Sequence, residues 1–409
     1  METNGKPAPT GRGFTALFGE QQRLWRNLLS FPQVAQAARD VQVGTTPHTV
    51  VLEQRTHRLL HYTRETPATQ AEPVLFCYAL INRPYILDLQ PDKSVVRQYL
   101  DRGFDVYMID WGVPTHADRT LSLHDYVCGF LDKSVGAIRG KNEGKPVHLL
   151  GYCMGGTLST LYSALNPGAV KTLTLLAAPI DFAPTESLLN LWTRGTFDVD
   201  ALLDAYGNCP AWFLQSIFLF MNPIRNFVDK TIAFWEQMSD PDKLSSTLAL
   251  EHWLNDNIPV AGATFRQFVH NLYRRNELVR GQLQVGLRRV DLSRITCPLL
   301  LLTASNDHLV APASTEGIRP HVGSRDVTSM PIDAGHVGLV VGGKAHAKIW
   351  PQATRWAVER STPVATGATS RATVATPRSA AVTDTISSPA AKVPRRPAKN
   401  EPRWWAQTR

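Results

Sequence analysis

The most constraining feature of the chain is a short run, Gly151-Tyr152-Cys153-Met154-Gly155-Gly156, between the apolar stretch Val147–Leu150 and the helix-like Thr157–Ala164. A strand that turns straight into a helix around G-x-C-x-G holds its central residue on a tight, strained turn. The positions two residues to either side must then be small, as Gly151 and Gly155 are. The turn also sets Cys153 at a helix N-terminus, where the helix dipole complements a negatively charged sulfur. This is a nucleophile elbow with cysteine in the place usually held by serine.

The rest of the pattern supplies a sheet for that elbow. Short β-type runs recur at Thr49–Leu52, Leu59–Thr63, Val74–Leu80, Phe104–Ile109, Val147–Gly151, Val170–Leu176, Leu299–Thr303 and Val327–Ile332. Helix-like stretches such as Ser94–Arg102, Leu123–Ile138 and Thr157–Asn166 lie between several of them. Strands separated by helical crossovers predict an α/β fold, a mostly parallel sheet with helices on both faces. The alternation stops from about Ala183 to Arg289, where Leu, Phe and Trp recur at helical spacing. A segment that long between two strands predicts an inserted helical cap.

Five regions follow: an N-terminal segment (1–40), the first part of the core with the elbow (41–182), the cap (183–290), the second part of the core (291–360) and a tail (361–409). An amphipathic helix is expected between Phe14 and Phe31, with Leu17, Phe18, Leu24, Trp25, Leu28 and Leu29 on one stripe. The tail is rich in Ala, Thr, Ser and Pro and lacks the apolar residues to offset chain-ordering entropy, so disorder is expected. It also explains the charge. Of the net +8, the tail contributes +6, from eight Lys and Arg against Asp384 and Glu401. The body is nearly neutral, so its composition argues for no nucleic-acid surface there.

The elbow predicts a triad in the chain order nucleophile, acid, base. Asp307 lies just beyond the strand Leu299–Thr303, and His336 lies in Asp333-Ala-Gly-His-Val-Gly338 after the strand Val327–Ile332. His308 is a rival base and Asp333 a rival acid, but each adjoins or shares a turn with the stronger candidate. An oxyanion hole needs backbone N–H groups, expected from Met154 and from the loop near Ile81 and Asn82. Gly338–Ala345 satisfies G-x-x-x-x-G-K, yet it lacks the Ser or Thr of a phosphate-binding loop. No histidine cluster has metal-ligand spacing, so no metal is expected. The five scattered cysteines form no CxxC pair, no signal peptide is evident, and no apolar run approaches the roughly 20 residues that span a bilayer. A reducing, cytoplasmic setting is expected.

These residues resemble the polyhydroxyalkanoate synthases, members of the α/β-hydrolase superfamily. The resemblance rests on the cysteine elbow and on Leu80-Ile-Asn-Arg-Pro-Tyr-Ile-Leu-Asp-Leu-Gln-Pro91. Phe104–Gly112, Leu121–Tyr126, Asn306-Asp307-His308 and Gly335–Gly338 add to it, and it covers roughly Val41 to Trp356. It implies polymerisation of (R)-3-hydroxyacyl-CoA, such as 3-hydroxybutyryl-CoA, into polyester with release of CoA. Cys153 would carry the chain as a thioester, His336 would activate the thiol, and Asp307 would promote attack by the 3-hydroxyl. The short N-terminus looks like the type that works with an accessory subunit. A homodimer and association with polyester granules are implied as well, and no cofactor beyond CoA as leaving group. The basic tail is no part of the pattern, and its partner is not indicated.

Cysteine has an independent chemical rationale. Transfer from CoA to Cys153 exchanges one thioester for another, and attack by a hydroxyl then forms the more stable oxygen ester. Two other readings stand beside the synthase: a Cys-dependent esterase, lactone hydrolase or polyester depolymerase, and a granule-surface or nucleic-acid-associated scaffold. The last is motivated by Trp404-Trp405 among the basic residues of the tail.

Overall fold

The computed structural model describes residue 39 and residues 41–183, 193, 197–221 and 240–364; the side chains of 219–221 and 241–242 are excepted. The helix expected between Phe14 and Phe31 and the tail from residue 365 onward lie outside the described residues.

All eight expected strands occur, and they form one sheet. They are β1 (His48–Gln54), β2 (His57–Tyr62), β3 (Val74–Cys77), β4 (Val106–Asp110), β5 (Val147–Tyr152), β6 (Val170–Leu176), β9 (Leu299–Ala304) and β10 (Val327–Ile332). Their spatial order is β1-β2-β4-β3-β5-β6-β9-β10. The β1–β2 and β2–β4 pairs are antiparallel, and every later pair is parallel. The central strands read as unbroken apolar runs, Val-Leu-Phe-Cys in β3 and Leu-Leu-Leu-Leu-Thr-Ala in β9, because both faces are buried.

One boundary differs from the sequence reading in a useful way. The run Val74–Leu80 leaves the sheet after Cys77. The Ile81 carbonyl instead accepts the N–H of Ile258 at 2.8 Å, joining the core to the insertion. Apolar composition alone does not distinguish a strand from the buried loop that continues it.

Between β6 and β9 the described residues form helices at Val199–Tyr206, Ala211–Met221, Pro241–Asn255, Gly262–Gln267 and Phe268–Arg274. Two starts follow simple capping chemistry: Asp198 accepts the Ala201 N–H at 3.0 Å, and Asp240, before a first-turn proline, accepts that of Lys243 at 3.3 Å. The strandless reading of this segment misses one small hairpin, β7 (Gln284–Val285) with β8 (Arg288–Arg289). Two-residue strands are too short to show a period. The hairpin turns at Gly286, whose φ of 62° suits glycine.

Of the tail expected from Ser361, the first four residues are described. Ser361–Val364 are clasped to the start of β3: Val364 donates its N–H to the Thr69 carbonyl at 2.9 Å, and Ala71 donates to that of Thr362 at 2.9 Å. Thr362 gives its N–H and hydroxyl to Glu72 at 2.7 and 2.8 Å. Side-chain contacts with distant residues, which composition does not reveal, order this end.

Two buried histidines hold the sheet from inside. His148 on β5 bridges Thr172 and Ser361 at 2.8 Å each, and His57 on β2 reaches Ser134 at 2.7 Å. Burial pulls their pKa values from 6.5 down to about 3 and about 4. Between those values and 6.5 the unfolded chain binds more protons than the folded one, so stability falls as pH drops through that window. Urea midpoints should decline from pH 7 to pH 4, and His148→Gln should decline less steeply. An equally steep decline in the variant would mean that His148 is charged in the folded protein.

Candidate active site

The chemistry-bearing residues sit where parallel strands end. Cys153 follows β5 and opens the helix Met154–Leu165, with φ 54° and ψ −127°. A non-glycine residue in this region stores on the order of 1–3 kcal/mol of strain, which its surroundings must hold. Glycines make that possible. A Cβ on Gly155 would lie 2.1 Å from the Cys77 carbonyl oxygen, and one on Gly151 would lie 2.4 Å from the Gly156 Cα. Gly156, which the motif does not demand, is constrained as well: its Cβ would stand 2.3 Å from that of Ala178. The helix therefore packs backbone against backbone on β3 and the end of β6. Cys153 is fixed by its own N–H, which donates to the Leu176 carbonyl at 3.0 Å.

Asp307 and His336 come from the loops after β9 and β10, and these two loops are stitched together. Ser305 donates its N–H to Ile332 at 2.9 Å, Asn306 donates to Ala334 at 3.0 Å, and the Asn306 amide reaches Asp333 at 2.7 Å. His336 Nδ1 then donates to Asp307 Oδ2 at 2.7 Å. The Tyr152 ring stacks on the imidazole with centroids 5.1 Å apart, and its hydroxyl donates to the His336 carbonyl at 3.2 Å. The other ring nitrogen serves a hydrogen bond with the Cys153 sulfur. The three residues expected from chain order thus meet in one relay.

The acid is fully occupied. Asp307 Oδ1 accepts the N–H groups of Leu309 and Val310 at 2.9 Å each, Oδ2 holds His336, and the side chain is 0% exposed. Asp307 has no face on the cavity in front of Cys153. In this geometry it orients and charges His336, the role that the resemblance sets aside.

Burial alone would lower the His336 pKa. The Asp307 charge, the Cys153 charge and the hydrogen bonds to both outweigh it, raising the value from 6.5 to about 10. The imidazolium is therefore held below about pH 10 and lost above it. The other thiols lack this setting. Burial pushes Cys77 and Cys297 up to about 12 and Cys209 higher still, while Cys128 is raised less.

The rival assignments fall away on position. His308 is exposed, and Asp333 is surface-placed, bound to Asn306 and 3.6 Å from Lys344. The G-x-x-x-x-G-K run is partly the short helix Gly338–Val341, with Leu339 and Val340 buried. Among the described residues no three His, Cys, Asp or Glu side chains gather as a metal site, and no helix is long and apolar enough to cross a membrane.

In front of Cys153 lies a cavity of about 520 Å³. The expected oxyanion residues Met154 and Ile81 both line it. Met154 is the first residue of its helix, where N–H groups have no partner one turn back. The far wall comes from the insertion, with Trp212, Phe218, Trp253, Phe268 and Tyr273. A polar lattice ties that wall to the Leu80–Leu87 loop. Trp253 Nε1 donates to the Arg83 carbonyl at 2.9 Å, and Asp256 accepts from Tyr85 at 3.1 Å and Arg83 at 3.4 Å. The motifs did not identify these insertion residues, because their shared wall exists only after folding.

Sheet order and elbow together define an enzyme of the α/β-hydrolase fold, and a family model described as alpha/beta hydrolase fold matches residues 72–342. A second model, described as the N-terminus of poly-beta-hydroxybutyrate polymerase (PhaC), matches residues 27–100. The chain is 40% identical over 349 residues to the poly(3-hydroxyalkanoate) polymerase subunit PhaC of Haloferax mediterranei, covering 83% of this chain and 71% of that one. The PhaC subunit of Haloarcula marismortui is 38% identical over 364 residues, covering 85% and 77%. That of Allochromatium vinosum is 38% identical over 325 residues, covering 79% and 91%. The chain belongs to the poly(3-hydroxyalkanoate) polymerases, which are acyltransferases.

Removing the sulfur tests the relay. In Cys153→Ala the His336 imidazole should titrate well below its wild-type midpoint, and in Asp307→Asn lower still, as followed by NMR of the ring protons. An unchanged midpoint in Cys153→Ala would place the sulfur out of reach of the imidazole.

Proposed function

We propose that this enzyme polymerises (R)-3-hydroxyacyl-CoA, with a short acyl chain such as 3-hydroxybutyryl, through a covalent thioester on Cys153. The observation that carries the reading is the Cys153–His336–Asp307 relay facing a largely apolar cavity in a chain of this family.

The steps follow from the groups in place. The Cys153 thiolate attacks the thioester carbonyl, and the oxyanion is held by backbone N–H groups, that of Met154 first. The carbon–sulfur bond to CoA breaks, and the departing sulfur takes the His336 proton. His336, now neutral, accepts the proton of the 3-hydroxyl of a second hydroxyacyl-CoA as its oxygen attacks the Cys153 thioester. An ester bond forms, the Cys153 thiolate leaves, and the imidazolium is restored. The lengthened chain, still a CoA thioester, reloads onto Cys153 and releases CoA. The first exchange is nearly isoenergetic and the second runs downhill, which is the advantage of sulfur here. Water would divert the acyl-enzyme, and the aromatic wall from the insertion restricts its entry. CoA is the leaving group, and no cofactor is required. A homodimer, an accessory subunit and attachment to polyester granules in the cytoplasm belong to this proposal too.

Purified protein given (R)-3-hydroxybutyryl-CoA, with and without an accessory subunit, should release CoA and form polymer. Cys153→Ala should abolish release, and Cys153→Ser should lose most of it, because the hydroxyl is the weaker nucleophile and its ester removes the drive. Free hydroxybutyrate as the sole product would replace polymerisation by hydrolysis.

A further inference from the structure

Two tyrosines on the cavity wall are unused by the mechanism above. Tyr78 lies immediately beyond β3, and Tyr273 lies on the insertion helix Phe268–Arg274. The Tyr273 ring is held edge-on by Phe182, with centroids 4.8 Å apart at 72°. Phe182 is fixed in turn, since its N–H donates to Asn276 Oδ1 at 3.0 Å and the Asn276 amide donates to Asp181 at 2.8 Å. The ring is thus positioned, and its hydroxyl makes no hydrogen bond among the described residues. Tyr273 is only partly buried and lines the cavity in front of Cys153, so a donor held there without a protein partner is available to a ligand. Burial and the neighbouring Cys153 charge raise the phenol pKa, so it remains a neutral donor.

The mechanism gives the substrate 3-hydroxyl a proton acceptor in His336 and no donor. The carbonyl oxygen has backbone N–H groups, and Asp307 is closed off by His336 and two amides. The 3-hydroxyl must nevertheless be recognised, because an acyl-CoA without it cannot attack the acyl-enzyme and halts growth. An apolar pocket discriminates poorly against a missing hydroxyl, whereas a pocket with a dedicated polar partner discriminates strongly.

Resting on the polymerase reading, we propose that Tyr273 is the residue that selects for the 3-hydroxyl, donating its phenol hydrogen bond to that oxygen within reach of Cys153 and His336. Donation to the oxygen leaves the substrate O–H free to point at the imidazole. Tyr273 therefore sets both identity and orientation.

The test compares single-turnover CoA release from (R)-3-hydroxybutyryl-CoA and from butyryl-CoA. Tyr273→Phe keeps the ring against Phe182 and removes only the hydroxyl. Release from the hydroxylated substrate should fall about tenfold, with release from butyryl-CoA unchanged. Tyr78→Phe should keep the wild-type ratio. An equal loss on both substrates, an unchanged ratio, or a collapse of the ratio in Tyr78→Phe instead would overturn the assignment. Should Tyr273→Phe not fold, 3-fluorotyrosine at position 273, which keeps the ring and makes the hydroxyl more acidic, must shift the ratio, and no shift would refute the role. Wild-type protein that releases no CoA from either substrate would remove the polymerase reading itself, whereas release with an insensitive ratio removes only the role of Tyr273.

Discussion

The turn at Cys153 governs the rest of the molecule. A cysteine held at φ 54° has no stability of its own, so the strand before it and the helix after it must be clamped at backbone distance. Gly151, Gly155 and Gly156 provide that closeness, the last two by packing the helix start onto the exit of β3 and the end of β6. The approach of Gly155 to the Cys77 carbonyl also explains why β3 ends where it does. Beyond Cys77 the chain turns away, and Tyr78 to Asn82 become the wall of the cavity rather than more sheet. Catalytic position and sheet geometry are one constraint.

Charge is distributed around that turn in a definite hierarchy. Asp307 is buried with each oxygen engaged, so its negative charge is expressed only through His336. The imidazole is thereby kept charged against the pull of burial, beside the Cys153 sulfur. The insertion sets an aromatic wall opposite this group, and the Trp253–Arg83–Asp256–Tyr85 lattice secures that wall to the core.

Much of this was legible before folding. Each expected strand is present because apolar runs of four to seven residues bounded by turn residues leave few alternatives. The triad was legible because the elbow prescribes both the order of its members and their places after strands. The readings that needed revision have two causes. The end of β3 and the ordered Ser361–Val364 depend on partners far away in the chain, whereas the hairpin at Gln284–Arg289 is local and too short to show a period. The two amides that occupy Asp307 are those of Leu309 and Val310, two and three residues on, and no motif encodes them.

The sequence by itself determined the sheet, the elbow, and the cysteine, acid and histidine that meet beyond the strand ends, since each follows from local periodicity or from its place in the elbow's chain order. Tertiary structure decided that Asp307 is occupied by His336 and two amides, that Trp253 and Tyr273 of the insertion line the cavity in front of Cys153, and that Phe182 sets the Tyr273 ring. The last two outcomes depend on groups that meet across 94 and 170 positions of the chain, and only packing brings them together.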